Sequence, residues 1–300
     1  MSVTALVIVL AAAVCHAAWN VIAHGVSRIG MPFLWWGSIA STVLWLPVIP
    51  FTGGLGGASL GEFAVGVVGS ALLHCAYLLV LQRGYATGGL STVYATARGT
   101  GPILTVLAAV VLFGERPTLG ELAGIAVIIA SVVAIGLADR GSTGDAASVT
   151  SAASASPRHR RIDPALAWGL VTGVAIAAYT LWDAHAVTGW GAAPVAYMVG
   201  TTAGEAVLFS LLLGGRRREL GAVWRAHRGR IVAFGVLSPL AYILVLVAMT
   251  LAPLSLVAPL REMSVVLVSL FGVLALREGR AGWRIGASVA VVAGIVLMTG

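Results

Sequence analysis

Ten apolar runs, each long enough to cross a bilayer, recur along this 300-residue chain. They lie at roughly 3–23, 32–51, 62–82, 90–113, 118–138, 165–187, 193–213, 231–250, 254–276 and 281–299. Hydrocarbon offers no hydrogen-bond partner to a backbone amide, so a segment of this kind must satisfy its own polar groups as a helix. The spacing therefore predicts an all-α membrane protein of about ten transmembrane helices. Composition agrees: 59% of residues are hydrophobic and 10% charged, against about 25% charged in an ordinary soluble domain. The first run is apolar from Val3 with no basic segment before it. It reads as a spanning helix, not as a cleaved signal.

Two stretches are polar. Residues 139–164 are rich in Ala, Ser, Thr and Arg and read as a flexible linker. Residues 214–230 read as a basic loop. Neither is long enough for a folded soluble domain, so chemistry on a separate domain is not expected. Cys15 and Cys75 both sit in apolar runs, which predicts neither a disulfide framework nor a metal site. No phosphate-binding Gly-x-x-x-x-Gly-Lys loop occurs, and the chain has no lysine. Neither a cofactor nor nucleotide-driven work is expected.

The net charge is +7 and every basic residue is arginine. Fifteen of the 18 arginines fall in the odd-numbered loops between apolar runs or, for Arg284, within the first turn after one, in the pattern of a membrane protein and not of a nucleic-acid binder. Only Arg116 lies in an even-numbered loop, while Arg98 and Arg261 lie within helices. That bias places the odd loops in the cytoplasm and both termini outside.

The chain repeats itself. Residues 90–115 (LSTVYATARGTGPILTVLAAVVLFGE) parallel 254–278 (LSLVAPLREMSVVLVSLFGVLALRE). Arg98 precedes Glu115 by 17 positions, and Arg261 precedes Glu278 by 17. Upstream, the Ala76-Tyr77 segment matches Ala241-Tyr242, and Ala17-Ala18-Trp19 matches Ala177-Ala178-Tyr179. Each glutamate is followed by a Gly-xxx-Gly pair, Gly120/Gly124 and Gly282/Gly286. We expect two five-helix repeats, 1–138 and 165–300, joined by the linker 139–164. Five is an odd number, so the repeats must run in opposite senses through the membrane. This is the inverted-repeat plan of many secondary transporters, whose site lies near the midplane.

At these residues the chain resembles the EamA-type transporters of the drug/metabolite transporter superfamily. The resemblance rests on two five-helix halves, each with a fourth helix ending in a glutamate (Phe113-Gly114-Glu115-Arg116 and Leu276-Arg277-Glu278) before a Gly-rich fifth helix. His16-Ala17-Ala18-Trp19-Asn20 is similar to a first-helix motif of one branch, and Pro102 sits where the family often carries proline. The second half departs from the pattern, with Pro259 near but not at the matching position and no glycine before Arg277-Glu278. The resemblance implies transport of amino acids, other small metabolites or drugs, mostly outward. It also implies both termini inside, against the arginine bias.

Ionisable groups at membrane depth are costly and mark functional positions. Arg98 and Arg261 are equivalent in the repeats and could clamp an anionic headgroup, or form structural ion pairs. Asn20, Trp19, Tyr77, Tyr242 and Tyr94 are further candidates for the substrate. Glu205, Glu262, His16 and His74 are candidates for coupling, and Glu115 and Glu278 for gating or for capping the next helix. Asp183 and His185 are expected to reach interfacial water near the end of the sixth helix. The Gly-xxx-Gly pairs read as close helix packing or a homodimer face. The sequence thus favours a multi-pass cell (inner) membrane transporter whose partners are a small-molecule substrate and the lipid bilayer. The competing readings are an integral-membrane enzyme acting on lipid headgroups, and a channel or scaffold.

Overall fold

The computed structural model describes the whole chain except residues 25, 27–28, 87–89, 145–163, 277–280 and 300. Eleven helices are described: α1 (Val3–His24), α2 (Met31–Trp45), α3 (Leu60–Ala86), α4 (Leu90–Leu112), α5 (Leu119–Gly144), α6 (Pro164–Thr188), α7 (Pro194–Leu212), α8 (Leu220–Leu251), α9 (Leu254–Leu260), α10 (Met263–Leu276) and α11 (Ala281–Thr299). Among the described residues there is no β-strand, only an isolated bridge between Gly56 and Ala192. Seven segments among them are long and apolar enough to cross a membrane singly, and shorter apolar segments occupy Leu119–Ile135 and Ile285–Thr299. Many large apolar side chains face outward, for example Val3, Val111 and Leu119. Water would penalise that surface and lipid does not. The protein is an all-α, multi-pass membrane protein.

Local chemistry sets the helix ends. Pro32 and Pro194 open α2 and α7, where a missing N–H costs nothing. Two capping boxes start α3 and α5. Ser59 N donates to Glu62 Oε2 at 2.9 Å while Glu62 N donates back to Ser59 Oγ at 3.3 Å. Thr118 N and Glu121 N make the same exchange at 2.7 and 3.3 Å. The cap of α5 is therefore made by Thr118 and Glu121, not by the Glu115 expected to cap it.

Three expectations about elements need correction. The ninth apolar run is two helices, not one: Arg261 and Glu262 form a turn between α9 and α10. There Glu262 N bonds to Pro259 O at 3.0 Å and Ser264 N to Arg261 O at 3.2 Å, three-residue spacings that tighten the backbone out of α geometry. The basic stretch 214–230 is not a loop. Gly214–Glu219 is a 3₁₀ turn and the rest is the start of α8, whose 32 residues span about 48 Å. The linker expected from residue 139 begins later, since α5 runs to Gly144; residues 145–163 lie outside the described ones.

The chain divides into two units. The first contains Met1–Ala76 and Ala178–Ser264. In it α8 packs on α1 and α2, and α2 also packs on α7. Small residues permit the contacts. A methyl at Gly37 would lie 2.8 Å from the Phe234 ring, and one at Gly69 2.5 Å from the Trp182 indole. The second unit contains Tyr77–Ala177 and Val265–Gly300. In it α5 packs on α4 and α11. A methyl at Gly124 would come within 2.4 Å of Gly294 O on α11. Gly124 is thus a packing glycine as expected, but its partner is Gly294. Gly282 and Gly286 have open space where a side chain would go.

Candidate functional site

The first unit buries a polar cluster contributed by α2, α3, α6, α7, α8 and the turn after α9. Its centre is His74 on α3. His74 Nδ1 lies 3.1 Å from Glu205 Oε1 on α7, and its Nε2 lies 3.3 Å from Asp183 Oδ2 on α6. Each ring nitrogen thus faces one carboxylate.

Asp183 has no solvent exposure. Two phenols hold it: Tyr197 donates to Oδ1 at 2.8 Å, and Tyr242 to Oδ2 at 2.5 Å. Burying a carboxylate is tolerable only with such donors. Glu205 is held more lightly, accepting from Ser38 Oγ at 3.1 Å besides facing His74. Around the imidazole stand the edges of Tyr179 and Tyr242, with ring centroids 4.4 and 5.5 Å away.

Arg261 sits in the turn between α9 and α10, beside these same rings. Its Nη2 donates to Tyr179 Oη at 3.2 Å and its Nη1 to Thr180 Oγ1 at 3.4 Å, while its guanidinium lies 5.7 Å from the Tyr242 ring centroid. The broken backbone is what brings a guanidinium and the adjacent Glu262, itself 2% exposed, to this depth. Hydroxyl oxygens hold Arg261, so its charge is oriented by dipoles and by an aromatic face.

The cluster gathers several predicted residues: His74, Glu205, Tyr242 and Arg261. Others lie elsewhere. On α1, Asn20 Nδ2 donates to His16 O at 2.7 Å, within its own helix, and His16 and Trp19 stack edge to face at 4.9 Å. Trp19 then packs on Phe234 at 5.3 Å. Arg98, Tyr94 and Tyr77 belong to the second unit, where the Arg98 guanidinium lies 5.3 Å from the Tyr94 centroid. Glu115 follows α4, its backbone N bonded to Ala109 O at 3.3 Å. Glu278 lies outside the described residues.

Asp183 is the main correction. Expected at interfacial water, it is instead fully buried at the heart of the cluster. It stands five residues before the end of α6, but His74, Tyr197 and Tyr242 from three other helices close around it. Tyr179, Thr180, Tyr197 and Ser38 were also not singled out by sequence. One signal was available: Tyr179 matches Trp19 in the repeat, and Asp183 lies four residues on, hence on the same helix face. Among the described residues no group of His, Cys, Asp and Glu side chains is arranged to hold a metal ion.

The sequence model of the EamA-like transporter family matches residues 163–300. Residues 163–300 belong to the EamA-like transporter family. That stretch contains α6 to α11 and every member of the cluster except Ser38 and His74. A solved crystal structure has the same fold, with a TM-score of 0.73 over 100% of this chain and 97% of that one, at 16% identity. None of the curated proteins matches the chain in sequence. The family likeness is thus that of residues 163–300, and the likeness to the solved structure is one of fold.

Proposed function

We propose that this EamA-like protein is a secondary transporter that exports a small polar metabolite, such as an amino acid or organic anion, across the cell (inner) membrane. It works by alternating access of two inverted repeats around a midplane site. The observation that carries the reading is the cluster itself. Residues from both repeats, His74 from the first and Asp183, Glu205, Tyr242 and Arg261 from the second, meet inside one unit. A midplane site drawn from both repeats is the plan of inverted-repeat carriers.

Arg261 is the proposed anchor for a carboxylate. A guanidinium held by Tyr179, Thr180 and the Tyr242 face has its orientation fixed before the substrate arrives, which lowers the ordering cost of binding. A histidine converging with two carboxylates is also what an enzyme would need. Here, however, the three groups are turned toward one another and Asp183 is sealed from solvent.

The test is counterflow. Proteoliposomes loaded with unlabelled amino acids or dicarboxylic acids are presented with traces of the labelled compound. A carrier accumulates label transiently above equilibrium, whereas a channel only equilibrates. Arg261→Gln should weaken apparent affinity by roughly ten- to hundred-fold, the equivalent of one charge-assisted hydrogen bond of about 1.5–3 kcal/mol. Absence of counterflow with every compound would count against the transport reading, and unchanged affinity in Arg261→Gln against the anchor.

A further inference from the structure

Between α7 and the apolar part of α8 the chain concentrates positive charge. Ile231–Leu251 holds no charged residue and has the length of about 20 residues that a helix needs to cross the hydrocarbon. The start of α8, Leu220–Arg230, therefore stands beyond the hydrocarbon, together with the 3₁₀ turn Gly214–Glu219. This stretch carries six arginines: Arg216, Arg217, Arg218, Arg225, Arg228 and Arg230. Glu219 is the only acidic residue between Glu205 and Glu262. Arg216 already occupies both of its oxygens, Nε on Oε1 at 2.9 Å and Nη2 on Oε2 at 2.8 Å. Arg217 donates to Ser210 O at 2.7 Å and Arg225 to Gly221 O at 3.3 Å, carbonyls that orient a guanidinium without neutralising it. Among the described residues Arg218, Arg228 and Arg230 have no acidic partner.

The stretch is fastened to the fold. Arg216 Nη2 also donates to Ile29 O at 2.9 Å, and Val223 and Ile231 are buried against Val26 and Phe33. Trp36 Nε1 donates to Leu220 O at 2.9 Å, and the Trp36 and Trp224 ring centroids lie 4.7 Å apart. Tryptophan collects at headgroup level, where an apolar ring meets a wet edge. The indoles and the guanidinium groups therefore share one level. Arg225, Arg228 and Arg230 are all exposed, and with His227 they line an open groove of about 460 Å³.

We propose that this face binds the anionic headgroup of a phospholipid in the leaflet it borders, with Arg225, Arg228 and Arg230 as the core of the site. A guanidinium offers a phosphodiester two parallel donors. The choice of a lipid over a soluble polyanion rests on what flanks the charges. Leu211, Leu212 and Val232 are exposed at the two points where the chain enters the hydrocarbon. A phospholipid satisfies both surfaces at once, its phosphate on the arginines and its acyl chains on the leucines and valine. An acidic peptide or a nucleic acid satisfies only the first. The site goes beyond the transport reading and does not depend on it.

The test uses the full chain in a neutral detergent, titrated separately with phosphatidylglycerol, phosphatidylcholine, inorganic phosphate and polyglutamate while Tm is read. A ligand that binds only the folded state raises Tm. Wild type is expected to respond to phosphatidylglycerol alone, and less at high salt. Combining Arg225→Gln, Arg228→Gln and Arg230→Gln should raise the phosphatidylglycerol concentration for half the effect roughly a hundredfold, about fivefold per charge. Combining Arg158→Gln, Arg160→Gln and Arg161→Gln removes the same charge from another stretch and should respond as wild type does. If the first triple variant does not fold, the exposed Arg228→Gln alone is read for its single loss. Equal stabilisation by phosphatidylcholine, or equal loss in both triple variants, overturns the site in favour of bulk lipid or net charge. Equal stabilisation by phosphate makes it a free-anion site, and by polyglutamate a site for an acidic protein segment; either result overturns the lipid assignment.

Discussion

Asp183 shows what a single buried charge requires. Its carboxylate is excluded from solvent and is tolerated because Tyr197 and Tyr242 donate to its two oxygens. Removing one hydroxyl leaves a charged acceptor short of a partner at membrane depth. Tyr197→Phe and Tyr242→Phe are each expected to destabilise the protein by about 1.5–3 kcal/mol, read as a lowered Tm in detergent. Asp183→Ala should cost more, roughly 3–5 kcal/mol, because it removes the counter-charge of His74. Asn20→Ala should be close to neutral in both stability and flux, because the Asn20 amide is bound to its own helix. A large transport defect in Asn20→Ala would return that residue to the substrate site.

Helix ends and helix contacts obey chemistry visible within a few residues. Thr118→Ala removes one half of the capping box of α5 and should lower stability by about 1 kcal/mol. Between α5 and α11 the contact is a backbone approach. A methyl at Gly124 would sit 2.4 Å from Gly294 O and 2.5 Å from Met298 Cγ. Gly124→Val is therefore expected to force the two helices apart at a cost of about 1–3 kcal/mol. Gly282→Val and Gly286→Val, with open space at both positions, should leave the Tm nearly unchanged. If all three variants unfold alike, packing at α11 is not what distinguishes these glycines. The turn at Arg261–Glu262 belongs to the same scale. Local hydrogen bonds of three-residue spacing produce it, and without it neither side chain would leave a continuous helix at this point.

Across the whole molecule, the arginines give the orientation its own test. The bias of arginine toward the odd-numbered loops predicts a cytoplasmic face that includes residues 214–230. A cysteine introduced at Arg228 in a chain lacking Cys15 and Cys75 should then be labelled by an impermeant maleimide in inverted vesicles and be protected in intact cells. The opposite pattern would place both termini inside, as the family resemblance implies. Much of this protein was legible beforehand. Apolar runs of spanning length can only be helices in lipid, so the all-α membrane class followed from Val3 to Thr299 without any tertiary information. Periodic landmarks such as Ala76-Tyr77 and Ala241-Tyr242 are the ground for expecting two repeats. Ionisable residues within those runs pointed to His74, Glu205 and Arg261, because burying a charge is too costly to occur without a partner or a use. What the sequence could not supply was the partner. Asp183 read as interfacial by its distance from a helix end, and only the tertiary packing that sets His74, Tyr197 and Tyr242 against it buries it. Tyr77 and Tyr242 matched in register yet lie in different units, with only Tyr242 on Asp183. Helical periodicity specifies which face a side chain occupies. Which faces meet depends on contacts between residues more than a hundred positions apart, such as His74 with Asp183 and Glu205, and only the tertiary structure decides those.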